Sequence, residues 1–217
     1  MHLPALYAIV DAEVANRRGW TVPELARAYL AGGARLLQVR AKRAGGAEFL
    51  EWCEAVVADA RALGATVIVN DRADVAAMAG ADGVHLGQND LGVSDVRRVY
   101  PSIRVVGLST HSEQQIAAAF EQPASYTAVG PIFATRTKAT GYDAVGLHLV
   151  RSAVAAARSR GEGGIGRPIV AIGGITLERA ERVLSAGAHS VAVISDLLST
   201  GDPEARVRAY VERLTTA

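Results

Sequence analysis

The sequence predicts an α/β protein folded as a single-domain (β/α)8 TIM barrel spanning residues 1–217. Three observations carry this. Short runs rich in Val, Ile and Leu alternate with longer segments of helical periodicity; there are eight such runs; and polar residues gather where the runs end. Runs that are apolar throughout suit strands covered on both faces, as in a parallel sheet. Strand and helix repeated eight times over this length is the arithmetic of a closed barrel, although spacing alone also admits a doubly wound open sheet. No linker divides the chain.

The predicted strands are, in order, Leu6–Val10, Leu36–Arg40, Thr66–Asn70, Gly83–Leu86, Arg104–Ser109, Tyr126–Val129, Ile169–Ile172 and Ser190–Ile194, each bounded by Gly, Pro, Asn or Asp. Between them, Thr21-Val22-Pro23-Glu24 reads as a capping box, and Ser112-Glu113-Gln114-Gln115 repeats the device. Asp202-Pro203 puts a cap residue before a proline at the first helical position, where the missing N–H is harmless. Gly32, Gly33, Gly64 and Gly187 mark helix ends. The glycine-rich stretch Ser159–Arg167 reads as a surface loop on the face of the barrel away from the chemistry.

Composition narrows the class of function. Half the residues are apolar and 21% are charged, the profile of a globular chain. A formal net charge of +1 argues against nucleic acid or an anionic membrane as partner. The single cysteine, Cys53, excludes an internal disulfide and fits a reducing cytoplasm. The first ten residues do not read as a signal peptide, and no apolar stretch approaches the roughly 20 residues needed to span a bilayer. A cytoplasmic location is the expectation.

In such barrels the active site lies at the C-terminal ends of the strands. After the second predicted strand, alternation sends Gln38, Arg40 and Lys42 the same way, an amide and two cations suited to phosphate or pyrophosphate. After the third comes Asn70-Asp71-Arg72-Ala73-Asp74. Here Asp71 is a hard oxygen ligand of the kind Mg²⁺ takes, while Asp74 reads as a cap of the next helix. After the fourth, Asp90 supplies a second carboxylate, and His85 reads as a packing residue outside the catalytic set. Ser109 ends the fifth strand. It can hydrogen-bond a heterocycle or a leaving-group oxygen, and nothing in its sequence surroundings supplies the base a nucleophile would need. The sixth strand leads into Gly130–Lys138, a loop with hydroxyls and a lysine suited to closing over anions. Gly173-Gly174 after the seventh and Ser195-Asp196 after the eighth suit a phosphate held by backbone N–H groups. Two anion sites at one mouth point to group transfer from a pyrophosphate donor to a phosphorylated acceptor.

The motifs QVRAK (Gln38–Lys42), NDRAD (Asn70–Asp74), ADGVHLGQND (Ala81–Asp90), GLSTHS (Gly107–Ser112), VGPIFATRTK (Val129–Lys138), AIGGI (Ala171–Ile175) and VISD (Val193–Asp196) resemble, in that order and spacing, the thiamine phosphate synthase family. The resemblance implies a Mg²⁺-dependent transferase. It would join 4-amino-5-hydroxymethyl-2-methylpyrimidine pyrophosphate to 4-methyl-5-(2-phosphoethyl)thiazole, giving thiamine phosphate and pyrophosphate. By the family pattern Gln38, Arg40, Lys42, Asn70, Ser109 and Lys138 hold the pyrimidine pyrophosphate, with Arg40, Ser109 and Lys138 carrying catalysis. Asp71 and Asp90 bind Mg²⁺, and Thr135, Arg136, Thr137, Gly174, Ile194 and Ser195 form the thiazole phosphate site. The enzyme would act on these small molecules as a homodimer or a monomer. Ala134 stands where the family pattern has Pro, and residues Ala139–Val145 also read differently, which bears on loop geometry more than on chemistry. A thiazole tautomerase of the same superfamily, a non-catalytic barrel binding thiamine phosphates, and an unrelated sugar-phosphate isomerase are the competing readings.

Overall fold

In the computed structural model, which describes residues 3–135, 143–160 and 166–215, eight parallel strands hydrogen-bond in chain order and the last closes on the first. They are β1 (Leu6–Asp11), β2 (Leu36–Arg40), β3 (Thr66–Asn70), β4 (Gly83–Leu86), β5 (Val105–Thr110), β6 (Tyr126–Val129), β7 (Ile169–Ile172) and β8 (Ser190–Val193). Closure comes through Leu6 opposite Val191 and Ala8 opposite Val193, which excludes the open sheet. Helices α1 (Ala12–Arg17), α2 (Val22–Ala31), α3 (Gly46–Arg61), α4 (Ala73–Met78), α5 (Val93–Val99), α6 (Glu113–Phe120), α7 (Gly146–Arg160), α8 (Leu177–Ser185) and α9 (Pro203–Thr215) connect the strands or follow the last.

Strand bounds depart from expectation only where backbone bonds are redirected. β5 starts one residue late, because the N–H groups of Arg104 and Val105 both turn to the carbonyl of Asp82, and ends one residue late, with Thr110 paired to Val129. β8 stops before Ile194, whose ψ of −83° turns the chain into a short 3-10 helix, Ser195–Leu198. β1 runs on to Asp11, which pairs with Arg40 in the register and whose carboxylate caps α1 through the N–H of Val14.

The capping box at Thr21 and Glu24 is present in both halves. That at Ser112 is not. The Ser112 hydroxyl accepts from the N–H of Gln115 at 3.2 Å, but the Gln115 side chain accepts from His111 instead, at 2.7 Å. Asp74 likewise does not cap α4. It lies inside the first turn and pairs with Arg72 at 2.5 Å. Asp202 does cap α9, accepting from the N–H of Ala205 at 3.0 Å ahead of Pro203.

Alternation along each strand divides two cores. Outward residues such as Ala8, Leu37, Val39, Val67, Val69, Val84 and Val191 pack under the helices. Inward residues Tyr7, Ile9, Leu36, Ile68, Tyr126, Ala128, Val170 and Ala192 fill the barrel. Above this plug the inward positions turn polar at Gln38, Arg40, Asn70, His85 and Ser109, all buried. The barrel core is therefore the floor of the site.

One cation has a purely structural duty. Arg167, half-buried, donates to the carbonyls of Ala119 and Gln122, each at 2.6 Å, and lies 5.0 Å over the ring of Phe120. These carbonyls lie at and just past the C-terminal end of α6, whose negative end attracts the cation. Burial holds its pKa below the usual arginine value. Arg167→Met is expected to lower stability by about 2 kcal/mol, the scale of hydrogen bonds to a charged group. Urea unfolding should show a lower midpoint at unchanged slope.

Candidate active site

The C-terminal mouth of the barrel holds a cavity of about 470 Å³. Its lining includes residues from every strand end: Tyr7 and Ile9, Gln38 and Arg40, Asn70, His85, Ser109, Ala128, Ile172 and Ala192. Of the residues picked out by sequence, Gln38, Arg40, Asn70, Ser109, Thr135, Gly174, Ile194 and Ser195 line this one space. Arg136, Thr137 and Lys138 lie outside the described residues.

On the β2–β3 side, charge is organised in pairs. The Arg40 guanidinium is bound to the buried Asp11 carboxylate and lies 3.7 Å from Glu13. Glu13 also accepts the N–H groups of Lys42 and Arg43 at 3.0 and 3.2 Å, which bends the chain after β2. The extended backbone assumed for Gln38–Lys42 thus ends at Arg40, and Lys42 lies in the loop, its ammonium bound to Asp71; Lys42, Asp71 and Asp90 are not among the residues lining the cavity. Neither Arg40 nor Lys42 is a bare cation. Each is already held by a carboxylate, which fixes where its charge sits. Asp11 and Glu13 are missing from the set predicted by sequence. Their signal was the VDAE segment at the end of the first strand, which read as an ordinary strand end.

Asp71 has a φ of +63°, and its N–H donates to the carbonyl of His85 at 2.8 Å. This left-handed turn throws its carboxylate toward Asp90, which accepts the N–H of Gly87 at 2.7 Å. Burial raises the pKa of Asp90. The Gly87 bond opposes this rise, and Asp71 adds to it through charge and a side-chain hydrogen bond. Two facing carboxylates, with the Lys42 ammonium on Asp71 and lowering the Asp90 pKa in part, offer hard oxygen ligands to a divalent cation. Among the described residues no three His, Cys, Asp or Glu side chains gather into a metal cluster. The two carboxylates Asp71 and Asp90 are the number that Mg²⁺ typically takes from a protein, the rest of its shell being water and phosphate oxygens.

The β7–β8 side is built from backbone. Gly174 has a φ of +62°, and a Cβ there would stand 2.6 Å from the carbonyl oxygen of Ala134. Only glycine lets the β7 loop lie this close to the β6 loop. Past β8, Ser195 opens the 3-10 helix, and Asp196 anchors it. One Asp196 oxygen accepts from Leu177 N–H at 3.2 Å, from Arg206 Nη2 at 2.7 Å and from Tyr210 Oη at 2.7 Å. This carboxylate ties the β8 loop to the start of α8 and to α9, and Thr176 and Ser195 on either side of it line the cavity. Arg179, also lining the cavity, is oriented by the carbonyl of Gly174 at 3.0 Å and by the ring of Phe133 at 4.8 Å.

The largest difference from expectation is His85. It lines the cavity, with Nε2 2.8 Å from Ser109 Oγ and Nδ1 2.9 Å from Tyr126 Oη. Tyr126 Oη is 3.0 Å from Tyr7 Oη, to which Gln38 Nε2 donates at 2.8 Å. Ser109 does have an imidazole beside it, supplied by the neighbouring strand β4 rather than by its own sequence surroundings. The alternation of β4 could have shown that His85 points inward, and Gly107 in the middle of β5 was the other available signal.

Fold and site define the class, a (β/α)8 barrel with polar and cationic side chains converging on one cavity at the C-terminal ends of its strands. Residues 6–197 match the family model for thiamine monophosphate synthase. Similar proteins include the thiamine-phosphate synthase of Thermus thermophilus, 43% identical, with 98% of each chain covered. That of Methanoculleus marisnigri is 40% identical over 98% of this chain and 96% of its own. Among solved structures, the thiamine phosphate pyrophosphorylase of Pyrococcus furiosus superposes with a TM-score of 0.84 at 30% identity, covering 97% of this chain and 95% of that one. The chain belongs to the thiamine monophosphate synthase family, transferases of thiamine biosynthesis. The tautomerase and non-catalytic readings are not favoured, since these relatives carry the synthase name over their full length.

Proposed function

We propose that the chain condenses 4-amino-5-hydroxymethyl-2-methylpyrimidine pyrophosphate with 4-methyl-5-(2-phosphoethyl)thiazole to give thiamine phosphate and pyrophosphate. The observation that carries this reading is one cavity lined by Gln38, Arg40 and Asn70 on one side and by Gly174, Thr176 and Ser195 on the other, with Lys42, Asp71 and Asp90 clustered in the loops that follow β2, β3 and β4. The first suits a pyrophosphate that arrives with a metal, the second a simple phosphate.

In this reading Asp71 and Asp90 hold Mg²⁺, which when bound offsets charge on the departing pyrophosphate. Arg40, fixed by Asp11, and Lys42, fixed by Asp71, take up that charge, and Lys138, outside the described residues, is assigned to the same role by the family resemblance. Gln38 and Asn70 orient the pyrimidine, and Ser109 donates a hydrogen bond to it or to its leaving group. The aminopyrimidine ring stabilises the methylene cation left when the C–O bond breaks. The thiazole nitrogen, placed by its phosphate at Thr135–Thr137, Gly174, Ile194 and Ser195, then attacks that carbon. No acid–base step on the protein is needed. The expected setting is the cytoplasm.

Calorimetric titration tests the division of the site. Inorganic pyrophosphate should bind tightly only with Mg²⁺ present, whereas the thiazole phosphate should bind equally well with or without it. Pyrophosphate binding that ignores Mg²⁺ would contradict the assignment of Asp71 and Asp90.

A further inference from the structure

We propose that His85 is a positioning residue of this site, fixed by Tyr126, Tyr7 and Gln38 as the Nε2–H tautomer so that Ser109 presents its hydroxyl hydrogen to the substrate. The identity of that substrate rests on the function proposed above; the assignment of the tautomer does not.

One buried chain of hydrogen bonds fixes where each proton sits. Gln38 Nε2 donates to Tyr7 Oη at 2.8 Å, so Tyr7 accepts on that side. The Tyr7 hydrogen has one acceptor in reach among the described residues, Tyr126 Oη at 3.0 Å. With that contact filled from Tyr7, the Tyr126 hydrogen goes to His85 Nδ1 at 2.9 Å. An imidazole accepting at Nδ1 carries its proton on Nε2 and donates it to Ser109 Oγ at 2.8 Å. The Ser109 hydrogen is then directed away from His85, and Ser109 borders the cavity together with Gln38, Arg40 and Asn70. With the Gln38 amide nitrogen facing Tyr7, the opposite order would leave the Tyr7 hydrogen without an acceptor at a position that is 1% exposed, where an unmade hydrogen bond is costly.

The surrounding packing holds this order in place. Tyr126 stacks on His85 with ring centres 5.6 Å apart and planes 16° from parallel, and it meets Tyr7 edge-on at 6.0 Å. Burial raises the pKa of both phenols, so each keeps its proton. The ring of Tyr126 crosses β5 over Gly107, where a Cβ would lie 2.1 Å from its Cζ. Four strands thus contribute to aiming one hydroxyl, and Ser109 acts as a donor. It is not a nucleophile, since the imidazole beside it offers a proton rather than accepting one.

Two-bond ¹⁵N–¹H correlation spectra of the labelled protein, with His85 assigned by its loss in His85→Gln, read the tautomer directly. A pyridine-like Nδ1 and a pyrrole-like Nε2 are expected, and Tyr126→Phe should shift both toward a mixture. A wild-type His85 protonated on Nδ1 would overturn the proposal. Kinetics supply the second arm. His85→Gln, which places an amide donor near the position of Nε2, should keep kcat within several-fold of wild type. His85→Leu should lose about tenfold or more in kcat with KM for the thiazole phosphate unchanged, the scale of a misplaced reacting group. Equal losses in both variants would make the residue merely structural. Absence of turnover in the wild type would strike the substrate reading and leave the tautomer to stand or fall on its spectrum.

Discussion

Asp71→Asn is expected to lower turnover by about a hundredfold or more, the scale on which removal of a charge-stabilising group acts in such sites. Asparagine is the right replacement because Asp71 sits at a φ of +63°, which Asn tolerates and a β-branched or bulky residue does not. Its N–H can keep the bond to the His85 carbonyl, so the barrel should remain intact. What is lost is the charge. Asp90 alone would face the cation, and Lys42 would lose the partner that holds its ammonium. The loss should lessen as Mg²⁺ is raised, with the half-activating concentration displaced upward. Turnover near wild type at the same Mg²⁺ would remove Asp71 from the metal site. The same loss is expected of Lys138→Ala, but without the displacement in Mg²⁺.

Gly107→Ala is expected to damage both stability and activity. The added methyl group would stand 2.1 Å from Cζ and 2.3 Å from Oη of Tyr126, a buried ring held by Tyr7 and His85. Neither ring nor strand can yield cheaply. Overpacking of this kind costs about 1–3 kcal/mol, and the broken hydrogen bonds of Tyr126 add about 1–3 kcal/mol more. Thermal or urea unfolding should register the sum as a clear drop in midpoint. Adding Tyr126→Val makes room for the methyl group. Stability should then recover in part, a non-additive result for two residues in contact, while turnover should stay low because His85 has lost its donor. Full additivity would show that the two positions do not share the space.

The barrel was legible in the sequence because its signals are local. Apolar runs such as Thr66–Asn70 and Ile169–Ile172 announce strands whose bounds agree with the structure to the residue, and Thr21 and Glu24 announce a helix start through bonds three residues apart. Positions that line the cavity were legible where chemistry and spacing coincide, as at Gln38, Asn70 and Gly174. It was not legible where a partner comes from another strand. His85 looked like packing because Ser109, 24 residues on, and Tyr126, 41 residues on, meet it only after closure. Arg40 and Lys42 looked like bare cations because Asp11 and Asp71, each 29 residues away, lie across neighbouring strands. The second capping box failed for a related reason. Ser112 and Gln115 have the spacing, but the chain bends so that His111 presents the nearer N–H.

The most direct test of the central claim is a coupled assay of the purified chain with both phosphorylated substrates, following thiamine phosphate and pyrophosphate together, with and without Mg²⁺. The account predicts that the two products appear in equal amounts and only when Mg²⁺ is present. Pyrophosphate released without thiamine phosphate, or no product while the thiazole phosphate still binds, would contradict it.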